Sequence, residues 1–497
     1  MSAGSGWAGR LGLALGGDDE AFVVPGQSVP SGRRVEAWLL VFAWGLGVGA
    51  YIVTYINRGV SLPANWYVGP ALWGLMVLAV HLIVRWRARY ADPVILPVVV
   101  ALSGLGLAMQ SRLDLATNQH QASGQLIGMA IGMLACAAVV VWLRDYRVLQ
   151  RFPYLLFVTG LLLLLMPLLP VVGRSSGGSR IWIYLFGQSF QPAEVAKIVL
   201  ALAFASYLAD RSETLQVAGK RIGPIKLPRL RDVMPILIMW GASVLVLVFQ
   251  NDFGTALLFF GLFIMMIYLA TAQWGWVAAG FLSFAGAAFV VFRYAPHVQV
   301  RVNAWLHPFD NINQNYQVVE GQFGIAWGGL FGRGWGLGLP TRVPVVRSDF
   351  ILAAFGEELG LLGMMAIVLM YAIWVTRGFK ASLMAREAFG KLLTAGLSFA
   401  IVLQVTAIVG GVTRLLPLTG LTTPFLSQGK SSLLANWVIV ALLLVVSHQG
   451  RRPIEAFEPF VDLEAEQTAA IDISQLLEGG VGPRVVVAAP EAQEETS

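Results

Sequence analysis

The chain is poor in charged residues and almost without cysteine. Only 12% of its 497 residues are Asp, Glu, Lys or Arg, whereas charged residues make up about 25% of a typical soluble domain. This shortage excludes an ordinary soluble fold. The single cysteine, Cys136, excludes a disulfide or a cysteine-based metal site within the chain.

The sequence contains many long apolar runs. Hydrophobic residues make up 57% of the chain, and they recur in runs of about 20 residues, enough for a helix to cross a bilayer. The runs are too long and too uniformly apolar for barrel strands. We therefore predict an all-α polytopic membrane protein. Its twelve predicted spans centre near residues 46, 76, 101, 133, 162, 200, 241, 262, 283, 363, 399 and 439.

Basic residues gather in four loops between the predicted spans. By the positive-inside rule these loops are cytoplasmic, and both termini lie on the same side. The basic residues of the four loops are Arg85, Arg87 and Arg89; Arg144, Arg147 and Arg151; those from Arg211 to Arg231; and those from Arg377 to Lys391. Loops 173–190, 293–349 and 415–432 then face outside. The net charge of +6 follows from this topology and does not indicate nucleic-acid binding.

Ionisable groups inside predicted spans are costly and suggest a function. Glu194 and Lys197 are three residues apart, so they share a helix face and can pair. The pair is either an internal ion pair or a charged group at the outer mouth of a cavity that faces an anionic ligand. Asp252, followed by Gly254 and Thr255, either caps a helix or belongs to the site.

The long loop 293–349 is rich in carboxylates and glycine. Asp310 lies there among Asn and Gln residues, where turn chemistry competes with a functional role. Asp349 either caps a helix that begins at Phe350 or belongs to the site. Glu357 and Glu358 lie about two turns into that helix, and their burial is expected to need an Arg or Lys partner from an outer loop.

Arg414 and Lys430 bracket a loop rich in Gly, Pro, Ser and Thr, which opens a helix near Ser431. Basic side chains and the free amides of a helix N-terminus together form an anion site. A diphosphate would suit such a site.

These segments resemble the RodA/FtsW family, the SEDS (shape, elongation, division and sporulation) proteins of bacterial cell-wall synthesis. The family's Gly-rich turn with Arg-Trp-Ile, and its Gln-Pro-Ser-Glu followed by Lys, correspond here to GGSRIWI and QPAEVAK. Its Asp-x-Gly-Thr-Ala and Gly-Gly-Leu-x-Gly-x-Gly correspond to NDFGTA and GGLFGRGWG. Its Asp-Phe-Ile-Phe with Glu-Glu-Leu-Gly corresponds to SDFILAAFGEELG, and its Pro-x-Thr-Gly with Pro-Phe-x-Ser to PLTGLTTPFLSQGKSSLLANW.

The family fold is a ten-helix bundle, which the resemblance places in residues 93–450. Residues 35–92 then add two N-terminal transmembrane helices. Residues 1–34 are predicted to be a disordered cytoplasmic tail. Residues 451–497 are predicted to be an acidic cytoplasmic tail, which carries ten carboxylates and one Arg after Arg452. GLTTPF and SSLLANW are more similar to the RodA branch of actinobacteria than to FtsW. The family's Ser-Tyr-Gly-Gly-Ser-Ser reads SQGKSS here, which is a departure at Gln428 and Lys430.

The resemblance implies a peptidoglycan glycosyltransferase that polymerises lipid II outside the cytoplasmic membrane of a bacterium during cell elongation. It makes Asp310 the general base for the acceptor hydroxyl. It makes Arg180, Lys197 and Lys430 cations for the departing undecaprenyl diphosphate, with Glu194 orienting Lys197. The other residues expected to bind substrate are Asp252, Gln317 and Ser431, and those expected to support the structure or the site are Asp349, Glu357 and Glu358.

Other functions stay open at this point. A lipid II flippase would use the same topology, and a non-catalytic scaffold for wall synthesis would keep the same fold. An FtsW-like role in division is the alternative to elongation. The resemblance also implies a class B penicillin-binding protein as partner. A divalent cation such as Mg²⁺ or Mn²⁺ could accompany the diphosphate, although no ligand cluster in the sequence demands one.

Overall fold

The computed structural model describes residues 32–170, 172–176, 179–185, 187–217, 219–222, 225–228 and 230–453. Most of both predicted tails, and the Gly177–Gly178 turn, therefore lie outside the described residues. The first helix begins at Arg33, inside the predicted N-terminal tail. The helices are α1 (Arg33–Asn57), α2 (Val68–Arg87), α3 (Ile95–Thr117), α4 (Gln121–Trp142), α5 (Pro153–Leu165), α6 (Pro192–Val217), α7 (Leu230–Phe249), α8 (Phe253–Thr271), α9 (Trp274–Tyr294), α10 (Pro296–Leu306), α11 (Tyr316–Gly328), α12 (Ile351–Met384), α13 (Ala388–Val412) and α14 (Lys430–Arg451).

Every predicted span centre lies within one of these helices, so the all-α polytopic prediction is confirmed. Among the described residues, ten helices are long and apolar enough to cross a membrane. Two further apolar helices, Pro153–Leu168 and Met234–Phe249, are shorter. The predicted count of twelve spans is therefore not confirmed.

Two small antiparallel sheets lie in loops between the helices. One contains β1 (Gly173–Ser176), β2 (Ser179–Leu185) and β3 (Gln188–Phe190), with β2 in the centre. The other pairs β4 (Gly219–Ile222) with β5 (Ile225–Pro228).

Loop 293–349 contains more regular structure than its polar composition predicts. Helix α10 begins at Pro296, where the missing proline N–H costs no hydrogen bond. Helix α11 follows, and a 3₁₀ turn covers Pro340–Arg342. This loop is therefore a folded cap on one end of the bundle.

The most deeply buried spans are α3, α6 and α14. Their apolar side chains form one core with those of α13. The two N-terminal helices lie beside this core, since α1 packs against α3 and α2 against α4. Helix α9 exposes nearly all of its apolar side chains, as expected where a helix faces lipid.

Candidate functional site

A buried polar network crosses the N-terminal end of α6. Lys197 Nζ lies 3.1 Å from Glu194 Oε2 and also donates to Gln404 Oε1 at 3.1 Å. Gln404 Nε2 donates to the Thr422 carbonyl at 2.7 Å, and the Thr422 hydroxyl donates to Ser432 Oγ at 3.1 Å. The predicted Glu194–Lys197 pair is therefore confirmed. Lys197 is only 2% exposed, so its ammonium contacts Glu194 and Gln404 inside the protein.

Asp252 caps the adjacent helix α8. Its Oδ1 accepts a hydrogen bond from the Thr255 N–H at 3.1 Å, so the capping interpretation is confirmed. Oδ2 is buried and has no hydrogen-bond partner in the described structure. Burial raises the pKa of the Asp252 carboxyl, and the nearby Glu194 adds to that shift. Asp252 is thus a cap whose second oxygen faces inward beside the network.

A polar pocket of about 170 Å³ lies next to this network, between α10, α11 and loop 413–429. Arg301 of α10 crosses it and donates to the Thr419 carbonyl at 3.2 Å. Arg301 Nη2 and Asp349 Oδ2 lie 3.6 and 3.8 Å from where a Cβ on Gly420 would stand. The pocket has two guanidinium groups and one carboxyl, and its polar lining is Arg301, Arg414, Asp349, Gln314, Asn315 and Gln317.

Asp349 does not cap α12, so the capping interpretation of Asp349 is wrong. The helix begins at Ile351, its N-cap residue is Phe350, and no side chain caps it. Asp349 lines the pocket instead, together with Arg301. Burial raises the pKa of the Asp349 carboxyl, while a hydrogen bond with Ser348 and the charge of Arg301 oppose the shift.

Asp310 lies in the turn between α10 and α11, and its side chain is exposed. The turn is closed by Asn315, whose amide donates to the Pro308 carbonyl at 3.1 Å. Gln314 and Asn315, at the end of this turn, line the pocket. The structure therefore places Asp310 on the solvent side of the segment that forms the pocket wall.

Glu357 and Glu358 hold the glycine-rich segment 328–338, and the predicted partner from an outer loop is wrong. Glu358 Oε1 pairs with Arg112 of the buried helix α3 at 2.8 Å. Its Oε2 accepts from the Gly336 N–H at 2.8 Å, and Glu357 Oε1 accepts from the Leu339 N–H at 2.7 Å. Each carboxylate therefore accepts a hydrogen bond from a backbone amide of segment 336–339, and Glu358 also pairs with an arginine of a spanning helix.

The remaining predicted residues are more scattered. Lys430 begins α14 and donates to Gln188 of β3. The Ser431 hydroxyl accepts from the Gln191 N–H at 2.9 Å, which ties α14 to the start of α6. Arg180 is an exposed residue of β2 whose backbone N–H donates to the Gln250 carbonyl.

Sequence reasoning missed Arg301, Gln404 and Arg112. Gln404 and Arg112 are buried polar residues in otherwise apolar spans, which is the signal that should have drawn attention to them. Arg301 lies in a segment predicted to be loop, so nothing in the pattern placed it on a helix beside Asp349.

A divalent cation held only by protein groups does not fit this site. In the part of the chain that is described, no three His, Cys, Asp or Glu side chains gather where they could share a metal ion. A cation carried by a diphosphate itself stays a prediction, and no step below depends on one.

Together these groups offer an exposed carboxylate on the turn that leads into the pocket, two arginines that line the pocket, and a buried ion pair. Such a combination can accept a proton on one side and stabilise an anion on the other.

Comparison with known proteins gives consistent matches. The chain matches the family FtsW/RodA/SpoVE, described as "Cell cycle protein", over residues 90–452. Peptidoglycan glycosyltransferase RodA of Mycobacterium tuberculosis (strain ATCC 25618 / H37Rv) is 43% identical over 438 residues, which cover 86% of this chain and 92% of that protein. RodA of Mycobacterium leprae is 40% identical, with 86% and 93% covered.

A solved structure shows the same fold. A chain in "Structural coordination of polymerization and crosslinking by a peptidoglycan synthase complex" matches with a TM-score of 0.60 and 24% identity, covering 73% of this chain and 99% of that chain. The family match begins at residue 90, so α1 and α2 precede it. The sequence match, the two relatives and the shared fold together show that the chain belongs to the FtsW/RodA/SpoVE family.

Proposed function

We propose that this peptidoglycan glycosyltransferase polymerises lipid II at the outer face of the membrane, in cell elongation, with Asp310 as general base. The observation that carries the proposal is that Asp310 lies on the turn between α10 and α11. The end of this turn, Gln314 and Asn315, lines the pocket that contains Arg301 and Arg414. The RodA names of the mycobacterial relatives support the elongation role.

In the proposed step the Asp310 carboxylate takes the proton from the 4-hydroxyl of the acceptor GlcNAc. That oxygen bonds to the anomeric carbon of the donor MurNAc, with inversion, as the bond to the diphosphate oxygen breaks. The electron pair leaves with undecaprenyl diphosphate. Because this leaving group is already good, one base and a set of cations suffice, unlike the carboxylate pair of most glycosidases.

Cations near the pocket would stabilise the departing diphosphate. Arg301 and Arg414 line the pocket itself, and Lys430 lies at the adjoining start of α14. Fixed cations aimed at developing negative charge lower the barrier most when they need no reorganisation. The buried Glu194–Lys197 pair would supply that rigidity by holding Gln404 and, through it, loop 413–429.

We propose a class B penicillin-binding protein as the partner. The fold shared with a chain of a synthase complex that coordinates polymerization and crosslinking supports a transpeptidase beside this chain. Both termini are proposed to be cytoplasmic, in keeping with the positions of the basic loops.

Glycan formation from purified lipid II tests the proposal. Wild type, Asp310→Asn and the matched control Asn313→Ala, an exposed residue of the same turn, would be compared with and without the cognate transpeptidase. We expect Asp310→Asn to lose a factor of about 10² to 10⁴ in rate, as is usual for a lost general base. The control should keep wild-type activity.

The other possible results of this assay would indicate a different base or a different function. Equal polymer from wild type and Asp310→Asn would place the base at another carboxylate, with Asp252 and Asp349 next. No polymer from wild type, even with its partner, would contradict the enzyme itself. Movement of fluorescent lipid II across vesicle membranes would then indicate a flippase, and its absence a scaffold.

A further inference from the structure

A second polar pocket, of about 280 Å³, lies at the other end of the bundle. Helices α12, α13 and α14 run from the candidate site to this end, so no group here can touch the reacting sugars. The pocket combines four arginines with few acidic groups. We call it the arginine pocket, and its lining is Arg144, Asp145, Tyr146, Arg147, Arg386, His448, Gln449 and Arg452.

The four arginines come from three separate segments of the chain. Arg144 and Arg147 follow α4, Arg386 lies between α12 and α13, and Arg452 follows α14. Side-chain hydrogen bonds to backbone carbonyls tie these segments together, since Arg386 Nη2 donates to the Arg452 carbonyl and Gln449 Nε2 donates to the Arg144 carbonyl at 2.8 Å. The fold therefore brings these arginines together from separate segments, and they do not form one basic stretch of sequence.

Acidic side chains neutralise only part of this charge. Arg147 pairs with Glu387 at 2.6 Å and reaches Asp145 at 3.8 Å. Within the described ranges, no carboxylate lies within ion-pair distance of Arg144 or Arg386. The charges of Arg144 and Arg386 are thus not paired with a carboxylate, although Arg386 donates one hydrogen bond to the Arg452 carbonyl. Guanidinium groups of this kind suit the oxygens of a phosphate.

The pocket lies where hydrocarbon meets water. Trp142, two residues before Arg144, is 81% exposed, and Leu383, three residues before Arg386, is 76% exposed. Exposed apolar side chains at the end of a spanning helix face lipid, and tryptophan is enriched at the interface. A ligand here would meet arginines at its polar end and apolar side chains at the other.

We propose that the arginine pocket binds the phosphate-bearing headgroup of an anionic membrane lipid. Basic pockets between spanning helices on the cytoplasmic side have the chemistry to bind such headgroups. A free phosphate shares the headgroup's charge but lacks the acyl chains that would contact Trp142 and Leu383, which makes the two sources distinguishable.

Lipid binding to the purified full-length chain, followed by native mass spectrometry, tests this proposal. The variant is Arg144→Gln with Arg386→Gln, and the matched control is Arg85→Gln with Arg89→Gln, two exposed arginines at the same end outside the pocket. We expect the pocket variant to bind phosphatidylglycerol about twenty-fivefold more weakly, since each of the two arginines near the surface contributes roughly fivefold. The control should bind like wild type.

Three results would overturn the proposal. The first is equal loss in both variants, which would mean diffuse attraction to a basic surface. The second is equal binding of phosphatidylcholine, which would remove the need for net negative charge. The third is displacement of the lipid by inorganic phosphate at equal concentration, which would make free phosphate the ligand. Matching unfolding temperatures of the variants would confirm that a loss of binding does not reflect misfolding.

Discussion

At the scale of single residues, Asp252 presents the sharpest choice between structure and function. One oxygen caps α8, and the other is buried without a partner. Asn caps a helix as well as Asp, whereas Ala costs about 1 kcal/mol. If Asp252 is only a cap, Asp252→Asn should keep full polymerising activity and Asp252→Ala should lose stability. An inactive but stable Asn variant would show that the carboxylate takes part in the site.

The stability difference between wild type and Asp252→Asn should depend on pH. Burial raises the pKa of Asp252 above its ordinary 3.8, so the folded state holds this proton more tightly than the unfolded state does. Stability from this group is therefore present below pH 3.8 and is lost as the pH rises through the folded pKa. We expect the unfolding temperature of wild type to fall relative to Asp252→Asn from pH 3.8 towards neutrality. A constant difference between the two proteins would contradict the burial argument.

At the scale of elements, helix α1 holds the glycine-rich segment 328–338. The Trp335 indole N–H donates to the Ala50 carbonyl and to Thr54 Oγ1, both at 2.7 Å. Asn57 Nδ2 donates to the Trp335 carbonyl at 2.7 Å. A helix that precedes the family match therefore positions a segment inside it.

Removing these contacts should loosen that segment. We expect Trp335→Phe with Asn57→Ala to cost roughly 2 kcal/mol, about 1 kcal/mol for each lost donor group. Hydrogen exchange in residues 329–339 should accelerate accordingly. Trp38→Phe, an exposed exchange on the same helix, is the control. Unchanged exchange in the double variant would mean that Glu357 and Glu358 hold the segment alone.

The elements also show where sequence reasoning succeeds and fails. The Glu194–Lys197 pair is local, so residue spacing alone predicts it. The Glu358–Arg112 pair joins residues 246 apart in the chain, and spacing gives no indication of which spans pack together. Helices α10 and α11 were missed because short helices in a polar loop lack the long apolar run that identifies a span. Arg301, and with it the pocket, was missed for the same reason.

At the scale of the whole molecule, orientation in the membrane is the main untested prediction. Three of the predicted basic loops meet at the C-terminal end of α14, because the Tyr90 N–H donates to His448 and because Arg144, Arg147 and Arg386 line one pocket with Arg452. Lysine and arginine bias orients helical membrane proteins because positively charged loops stay cytoplasmic. Both the proposed chemistry outside and the arginine pocket inside depend on this orientation.

The single native cysteine makes the orientation directly measurable. Cys136 is fully buried, so a membrane-impermeant maleimide should leave the native chain unlabelled. We expect Ser189→Cys and Asn313→Cys to react in intact cells, and Arg89→Cys and Arg386→Cys to react only after permeabilisation. All four positions are exposed, and they differ only in the side of the membrane on which they are predicted to lie. Labelling of Arg386→Cys in intact cells would invert the topology. The glycosyltransferase site would then face the cytoplasm, away from the growing wall, and the arginine pocket would face the outer leaflet.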